Sequence, residues 1–253
     1  MIKKIAILIL GCATAAVLIA NYNHNPAGII ADLEKHGDIR PGTLRYRLNL
    51  FGFLPFGEAT LALPREEELD GVRVYHLSAV AGTAGIISRV FRGDCAFDSY
   101  VDAGSFSPLL FKQKITVTGK GEVNKEASYD QKEGVMSIAG TKRTIFPPTY
   151  DPLSAVFYIR RMDLEKQKGF QLNINSNQKN YVLNCAAVHK NLSVRGERHG
   201  ITMVRGYISR RDKNPYHKSR IEVVLLEDAD NIPLLIKAFA GGIMVSARLV
   251  EIK

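Results

Sequence analysis

Hydrophobic and polar residues alternate over most of the chain from residue 44 onward. Leu44, Tyr46, Leu48 and Leu50 fall on one side of an extended segment and Arg45, Arg47 and Asn49 on the other, the period-two signature of a half-buried strand. Phe51-Gly52-Phe53-Leu54-Pro55-Phe56-Gly57 then predicts an unusually apolar turn into a second strand over 58–63. Further strands are predicted over 72–81, 95–102, 111–118, 122–130 and 134–138. After residue 169 they are predicted over 170–175, 179–188, 201–209, 220–226, 232–239 and 243–252, each bounded by Gly, Asn, Asp or Pro.

Two segments break the alternation. In 83–92, Ile86, Ile87, Val90 and Phe91 recur at one-turn spacing, predicting a short amphipathic helix or a bulged strand. From Asp151 the pattern is helical. Asp151 suits the cap and Pro152 the first helical position, where its missing N–H costs nothing; Leu153, Val156, Phe157 and Leu164 form the stripe, and Arg160 and Arg161 sit near the carboxyl end. The expected fold is mainly β: a strongly curved antiparallel sheet or partly open β-barrel, with one helix over about 152–162 packed on it.

The first 42 residues read differently. Lys3 and Lys4 precede an uncharged apolar run from Ile5 to Ala20, predicting a signal peptide or membrane anchor over 1–20 that directs export. The run falls short of the roughly 20 residues of a spanning helix, so cleavage and retention both stay open. Ile9-Leu10-Gly11-Cys12 also fits a lipoprotein box with Cys12 as the lipidated residue. Residues 21–42 are expected as a linker, with a short helix over 28–36, and 43–253 as a single β domain.

Export changes what the composition means. A formal net charge of +9 would suggest nucleic acid for a cytosolic protein; outside the cytosol the anionic partners are lipid headgroups and acidic glycans, so no nucleic acid is expected. The densest basic segment contains Arg205, Arg210, Arg211, Lys213, Lys218 and Arg220, with Tyr207 and Tyr216 between them; it is a candidate membrane or partner surface. Apart from Cys12, the cysteines are Cys95 and Cys185, either a disulfide in an oxidising compartment or two separate buried thiols.

Few spacings suit catalysis. The histidines are scattered without metal-ligand spacing, so no metal and no cofactor are expected. Ser176-Asn177-Gln178-Lys179 matches a Ser/Lys acyl-transfer pattern, but its Asn-rich setting predicts a hairpin turn instead. Asp94 and Asp98 fall on one side of a predicted strand, where they could form a carboxylate pair; the plainer expectation is that they are solvated or bond Arg89 or Arg92. An enzyme would need Asp94, Asp98 and Arg160 to converge.

Several marks coincide in order: Arg45-Tyr46 before Gly52 and Phe56-Gly57-Glu58-Ala59; Phe97-Asp98-Ser99-Tyr100 before Pro108; Asp151-Pro152-Leu153-Ser154-Ala155 with Phe157-Tyr158 and Arg160; and Asp230-Asn231-Ile232-Pro233 before Gly241-Gly242. Together they resemble the bacterial family catalogued as domain of unknown function 3108, over about 43–250. The resemblance implies a periplasmic, mostly β protein of a Gram-negative-type bacterium without an assigned reaction. The lack of Trp departs from what that family suggests before the late strand ending at Asp228. The expected fold is also similar to half-barrel envelope carriers of lipids and lipoproteins.

The expected function is non-catalytic: an envelope protein binding a lipid or lipidated partner in an apolar groove between the curved sheet and the helix. Its expected lining is Phe51, Phe53, Leu54, Phe56, Ile86, Ile87, Val90, Phe91, Val156 and Phe157, an apolar surplus for turns and short segments. The alternative is a scaffold or assembly component that binds another envelope protein.

Overall fold

The computed structural model describes residues 25–36, 42–211, 219–228 and 231–253. Among them sixteen strands form one sheet. The first nine are β1 (Leu44–Leu50), β2 (Leu54–Leu61), β3 (Arg65–Leu69), β4 (Val72–Thr83), β5 (Gly93–Asp102), β6 (Pro108–Val117), β7 (Gly121–Asp130), β8 (Val135–Ile138) and β9 (Thr141–Thr144). The remainder are β10 (Thr149–Tyr150), β11 (Gly169–Ser176), β12 (Lys179–Val194), β13 (Glu197–Arg210), β14 (Ser219–Leu226), β15 (Ile232–Ala240) and β16 (Ile243–Ile252). Three helices, α1 (Pro26–His36), α2 (Ile87–Val90) and α3 (Pro152–Arg161), accompany them. The sheet runs from β10 through β11–β16, then β1, β2, β4 and on to β9, with β3 beside β4. All neighbours pair antiparallel except β10 and β11.

The sheet curls around α3. This helix touches β4 and β5 on one side and β10 and β11 on the other, although β11 and β4 stand eight places apart in the strand order. At roughly 4.8 Å per strand that is about 38 Å of sheet, far more than a helix about 10–12 Å wide can bridge. Only a sheet folded back on itself allows both contacts.

Closure is incomplete, because β9 and β10 do not pair with each other. Side chains cross the seam instead. The Asn180 amide donates to the Thr144 carbonyl at 2.7 Å and the Asn173 amide to the Phe146 carbonyl at 2.7 Å. The Arg211 guanidinium lies 4.3 Å from the centre of the Phe146 ring. Exposed Lys142 and Arg143 on β9 add the charge that keeps a free edge from recruiting another chain.

Two packed clusters fill the base of the barrel. One joins Leu153 and Phe157 of α3 to Tyr46, Leu61, Leu77 and Val101; the other joins Ala155 and Ile159 to Leu172, Leu183 and Val204. Ile29, Ile30 and Leu33 of α1 are also buried. That helix lies against β12, β15 and β16, and the Arg248 guanidinium donates to Asp32 at 2.8 Å. The stretch expected as a linker thus carries a helix packed onto the sheet.

Asp151 caps α3 as expected, its carboxylate accepting from the Leu153 and Ser154 amides. The break at 83–92 contains a helix of one turn. Three strands were not expected. β3 (REEEL) and β9 (TKRT) carry almost no apolar positions, and β10 has two residues. The expected signal segment with Cys12, together with Lys213 and Lys218, lies outside the described residues.

Candidate functional site

The turns at one end of the barrel are held together. The Ala84 amide donates to the Phe56 carbonyl, the Phe51 amide to the Met244 carbonyl and the Thr118 amide to the Arg92 carbonyl, at 2.9, 2.7 and 2.8 Å. At this end, the rim, these bonds tie the β1–β2 turn to the start of β16, the β4–β5 connection to the start of β2, and the β6–β7 turn to the β4–β5 connection. In the β1–β2 turn, Phe51 and Gly52 both take positive φ, 52° and 81°, the geometry of a tight hairpin.

The ten expected groove residues divide between two places. Phe51, Phe53, Leu54, Phe56 and Ile87 are half-buried at the rim, and Ile86, Val90 and Phe91 are exposed there. Phe157 is in the base core under the Arg160 guanidinium, 5.3 Å from its ring. Val156 is half-buried on the same helix. They therefore do not line one groove between sheet and helix.

A different set of apolar side chains lies between α3 and the rim. Register places Ala59, Ala81, Cys95 and Ile115 side by side across β2, β4, β5 and β6, and Ala79 beside Phe97. Leu48 stands opposite Ala247, and Leu50 opposite Val245. These positions share the inward face with Tyr46, Leu61 and Leu77, since alternate residues of a strand face the same way. Tyr46, Leu61 and Leu77 are buried and bulky, whereas their neighbours on this face are half-buried and four of those are alanines, with Ala59 opposite Tyr46 and Ala79 opposite Leu61. The inward face thus passes from bulky buried side chains to small half-buried ones, of which Ala59, Ala79 and Ala247 pack against the core. Sequence reasoning missed it because single alanines in strands carry no signal until register gathers them.

Two hollows lie on the outward face. One, of about 400 Å³, is lined by Glu58, Thr60, Val80, Asp94 and Lys114, and Ala59, Ala81 and Cys95 border it as well. The other, of about 250 Å³, lies beside Pro26 at the start of α1, with Met203, Arg205, Glu222 and Lys237 in its wall. Burial pushes the Lys237 ammonium below its ordinary value, with Glu222 opposing the shift.

The expected polar constellations separate. Asp94 and Asp98 share the outward face of β5; Asp94 accepts from Arg92 at 2.9 Å, and Asp98 contacts His76 Nε2 at 2.8 Å. Arg160 is buried on α3, on the other side of the sheet, so the three do not converge. Ser176 and Lys179 pair across a hairpin whose Asn177 and Gln178 take positive φ, a turn and not a helical dyad. Cys95 and Cys185 are both free, which corrects the disulfide alternative: Cys95 stands between Ala81 and Ile115, whereas Cys185 packs under Gly206 in the cluster with Leu172, Leu183 and Val204. The Cys95 thiol donates to the Ala81 carbonyl, and burial pushes the Cys185 thiol up to about 12.

The expected basic surface is also dispersed. Arg205 and Arg220 flank Glu222 on the outward face at 3.9 and 3.7 Å, and Arg220 stacks over Phe239 at 4.1 Å. Arg211 belongs to the seam, where it bonds Asn173. Arg210 is paired in register with Tyr181 and lies on the opposite face from Arg205. Glu34, Glu197 and His199 meet within 4.8 Å between α1 and the β12–β13 hairpin, a grouping absent from local spacing because Glu34 is remote in sequence. Glu34 is also 3.2 Å from His199 and 4.0 Å from Arg195.

The family model for the protein of unknown function DUF3108 matches residues 45–246. The chain belongs to this family. Of solved structures, it is similar to a beta-barrel-like protein of the domain of unknown function DUF1849 from Brucella abortus. The identity is 13%, the TM-score 0.59, and the match covers 85% of this chain and 99% of that one. That likeness shows the barrel-like fold, as expected from the sequence. The Mycobacterium tuberculosis lipoprotein LppX aligns at 9% identity over 88% of this chain and 92% of its own, with a TM-score of 0.25. No curated protein matches the sequence. Among the described residues no helix is long and apolar enough to cross a membrane.

Proposed function

We propose that this is an exported, non-catalytic protein of the bacterial envelope that holds an acyl chain, of a lipid or of a lipidated partner, against the inward face of its curved sheet. The observation that carries the reading is the row of small residues between α3 and the rim. Ala59, Ala79, Ala81 and Ala247 are half-buried, where larger side chains would complete a core. Interiors normally pack to a density that leaves few voids, so an accessible apolar wall inside a barrel is a candidate ligand surface. The lysines and apolar run of residues 3–20 support export and bring such a protein to lipids. A scaffold working by strand addition needs an open edge, and the β9 edge carries exposed Lys142 and Arg143 and is bonded at Thr144 by Asn180.

The test is native mass spectrometry of gently purified protein, followed by a fatty-acid and phospholipid panel. Wild type should carry or take up an acyl compound. Ala79→Phe with Ala247→Phe should lose it while keeping the wild-type circular dichroism and melting transition. Uptake unchanged in that variant, or a wild-type protein empty across the panel, would overturn the reading.

A further inference from the structure

The two ends of the barrel differ in chemistry. The described rim connections, 51–53, 84–92, 118–120, 139–140, 177–178, 211 and 241–242, contain Arg89, Arg92, Lys120 and Arg211 and no Asp or Glu. The connections at the opposite end contain as many cations, Lys132, Lys166, Lys168 and Arg195, but set them among Asp70, Glu133, Asp163, Glu165, Glu227 and Asp228. The two most exposed large apolar side chains lie at the rim, whereas Leu63, Val72 and Phe146 toward the opposite end are 39%, 40% and 43% exposed. Ile86 is 78% exposed, Val90 80%, Phe91 47% and Ile243 50%, and all four belong to rim connections or the strand end beside them.

A soluble surface has little reason to place Ile86, Val90 and Phe91 in water, interleaved with Arg89 and Arg92. Aliphatic tips that can enter the headgroup region, ringed by cations that meet its charge, are what an anionic bilayer surface selects. The nearest carboxylates, Asp94 and Glu122, do not contradict this. Arg92 bonds the first at 2.9 Å, and Lys114 lies 2.9 Å from the second.

We propose that the rim is a membrane-docking surface that seats on anionic phospholipid through Ile86, Val90, Phe91 and Ile243, with Arg89, Arg92 and Lys120 contacting headgroups. Docking in this pose turns the barrel's inward apolar wall toward the bilayer, which deepens the acyl-binding reading. The surface chemistry itself does not depend on that reading.

The chain contains no Trp, so one introduced indole reports depth without background. In the full-length protein, Phe91→Trp should shift to the blue and be quenched by brominated phospholipid in vesicles containing phosphatidylglycerol. Quenching should be weaker with phosphatidylcholine alone and should fall with added salt. Leu63→Trp, near the opposite end, should remain unquenched and so separates rim docking from tethering by the amino-terminal segment. In the Phe91→Trp background, Ile86→Asp with Val90→Asp should abolish quenching, and Arg89→Gln with Arg92→Gln should weaken vesicle affinity by on the order of tenfold or more. Equal quenching of both reporters, none at Phe91→Trp, or no response to the aspartates would overturn the proposal. Adding Ala79→Phe and Ala247→Phe keeps the two readings distinct. Quenching should persist there, even if acyl uptake is lost or never occurs.

Discussion

The Ser99 hydroxyl in the middle of β5 donates to the Asp151 carboxylate at 2.6 Å, and both side chains are buried. The same carboxylate receives the Leu153 and Ser154 amides at 2.8 and 3.0 Å. One side chain therefore starts α3 and fastens it to the sheet that wraps it.

Burial raises the Asp151 carboxyl above its ordinary value, while the bonds from Ser99, Ser154 and Leu153 pull the other way. Its geometric role is thus separable from its charge. Asp151→Ala removes the cap and strands the Ser99 hydroxyl, and should cost about 2–4 kcal/mol in urea denaturation. Asp151→Asn keeps an acceptor for the cap without the buried charge and should stay within about 1 kcal/mol of wild type. Equal losses in the two variants would contradict this account.

That cap was legible in the sequence because Asp-Pro before an apolar stripe is a local signal, as is the alternation of Leu44 to Leu50. The seam was not legible. Thr141-Lys142-Arg143-Thr144 has no apolar position, and only the return of β11 and β12 to its side makes it a strand edge worth protecting. The inward alanines were hidden for a related reason: Ala59 and Ala81 meet through a register that spans a hairpin and an inserted strand. The apolar surplus of 51–56 and 86–91 was visible in the sequence, but its place at the rim, away from α3, required the topology.

The two described cysteines should differ in reactivity. Cys185 is buried beneath Gly206, whose Cα would place a Cβ 3.0 Å from the sulfur, and its thiol is pushed up to about 12 by burial alone. Cys95 is half-buried on the inward wall; its thiol is also raised, first by burial, with Asp94 adding to the shift. In a Cys12→Ser background, maleimide should label Cys95 in the native state, faster as pH rises, and Cys185 only after denaturation. A bound acyl chain should slow labelling of Cys95. Native labelling of Cys185 ahead of Cys95 would contradict the packing described.

His189 provides a pH-dependent contact near the acidic end. Its Nδ1 lies 2.7 Å from the Glu227 carboxylate, which raises the imidazole above its ordinary 6.5, with partial burial opposing. Because the folded value exceeds the unfolded one, the pair's contribution is complete below the unfolded value and disappears as pH rises through the folded value. The melting-temperature difference between wild type and His189→Gln should therefore be larger at about pH 5.5 than at about pH 8.5. A difference independent of pH would show that the ion pair does not contribute.

The seam offers the last test, because side-chain bonds there replace the strand ladder that would close the barrel. Asn173→Ala leaves the Phe146 carbonyl with only the Thr149 hydroxyl as donor and removes the side-chain acceptor of Arg211; Asn180→Ala frees the Thr144 carbonyl. Each should cost about 1 kcal/mol. Their joint effect should be local before it is global, since β9 and β10 are the least paired strands of the sheet. In the double variant, amide exchange should accelerate first across 135–150, while β1 and β16, paired along seven positions in the middle of the sheet, keep their protection. An exposed β9–β10 edge should also make that variant prone to concentration-dependent association, read by light scattering. Uniform acceleration through the whole chain would mean that the seam does not act as a separate latch.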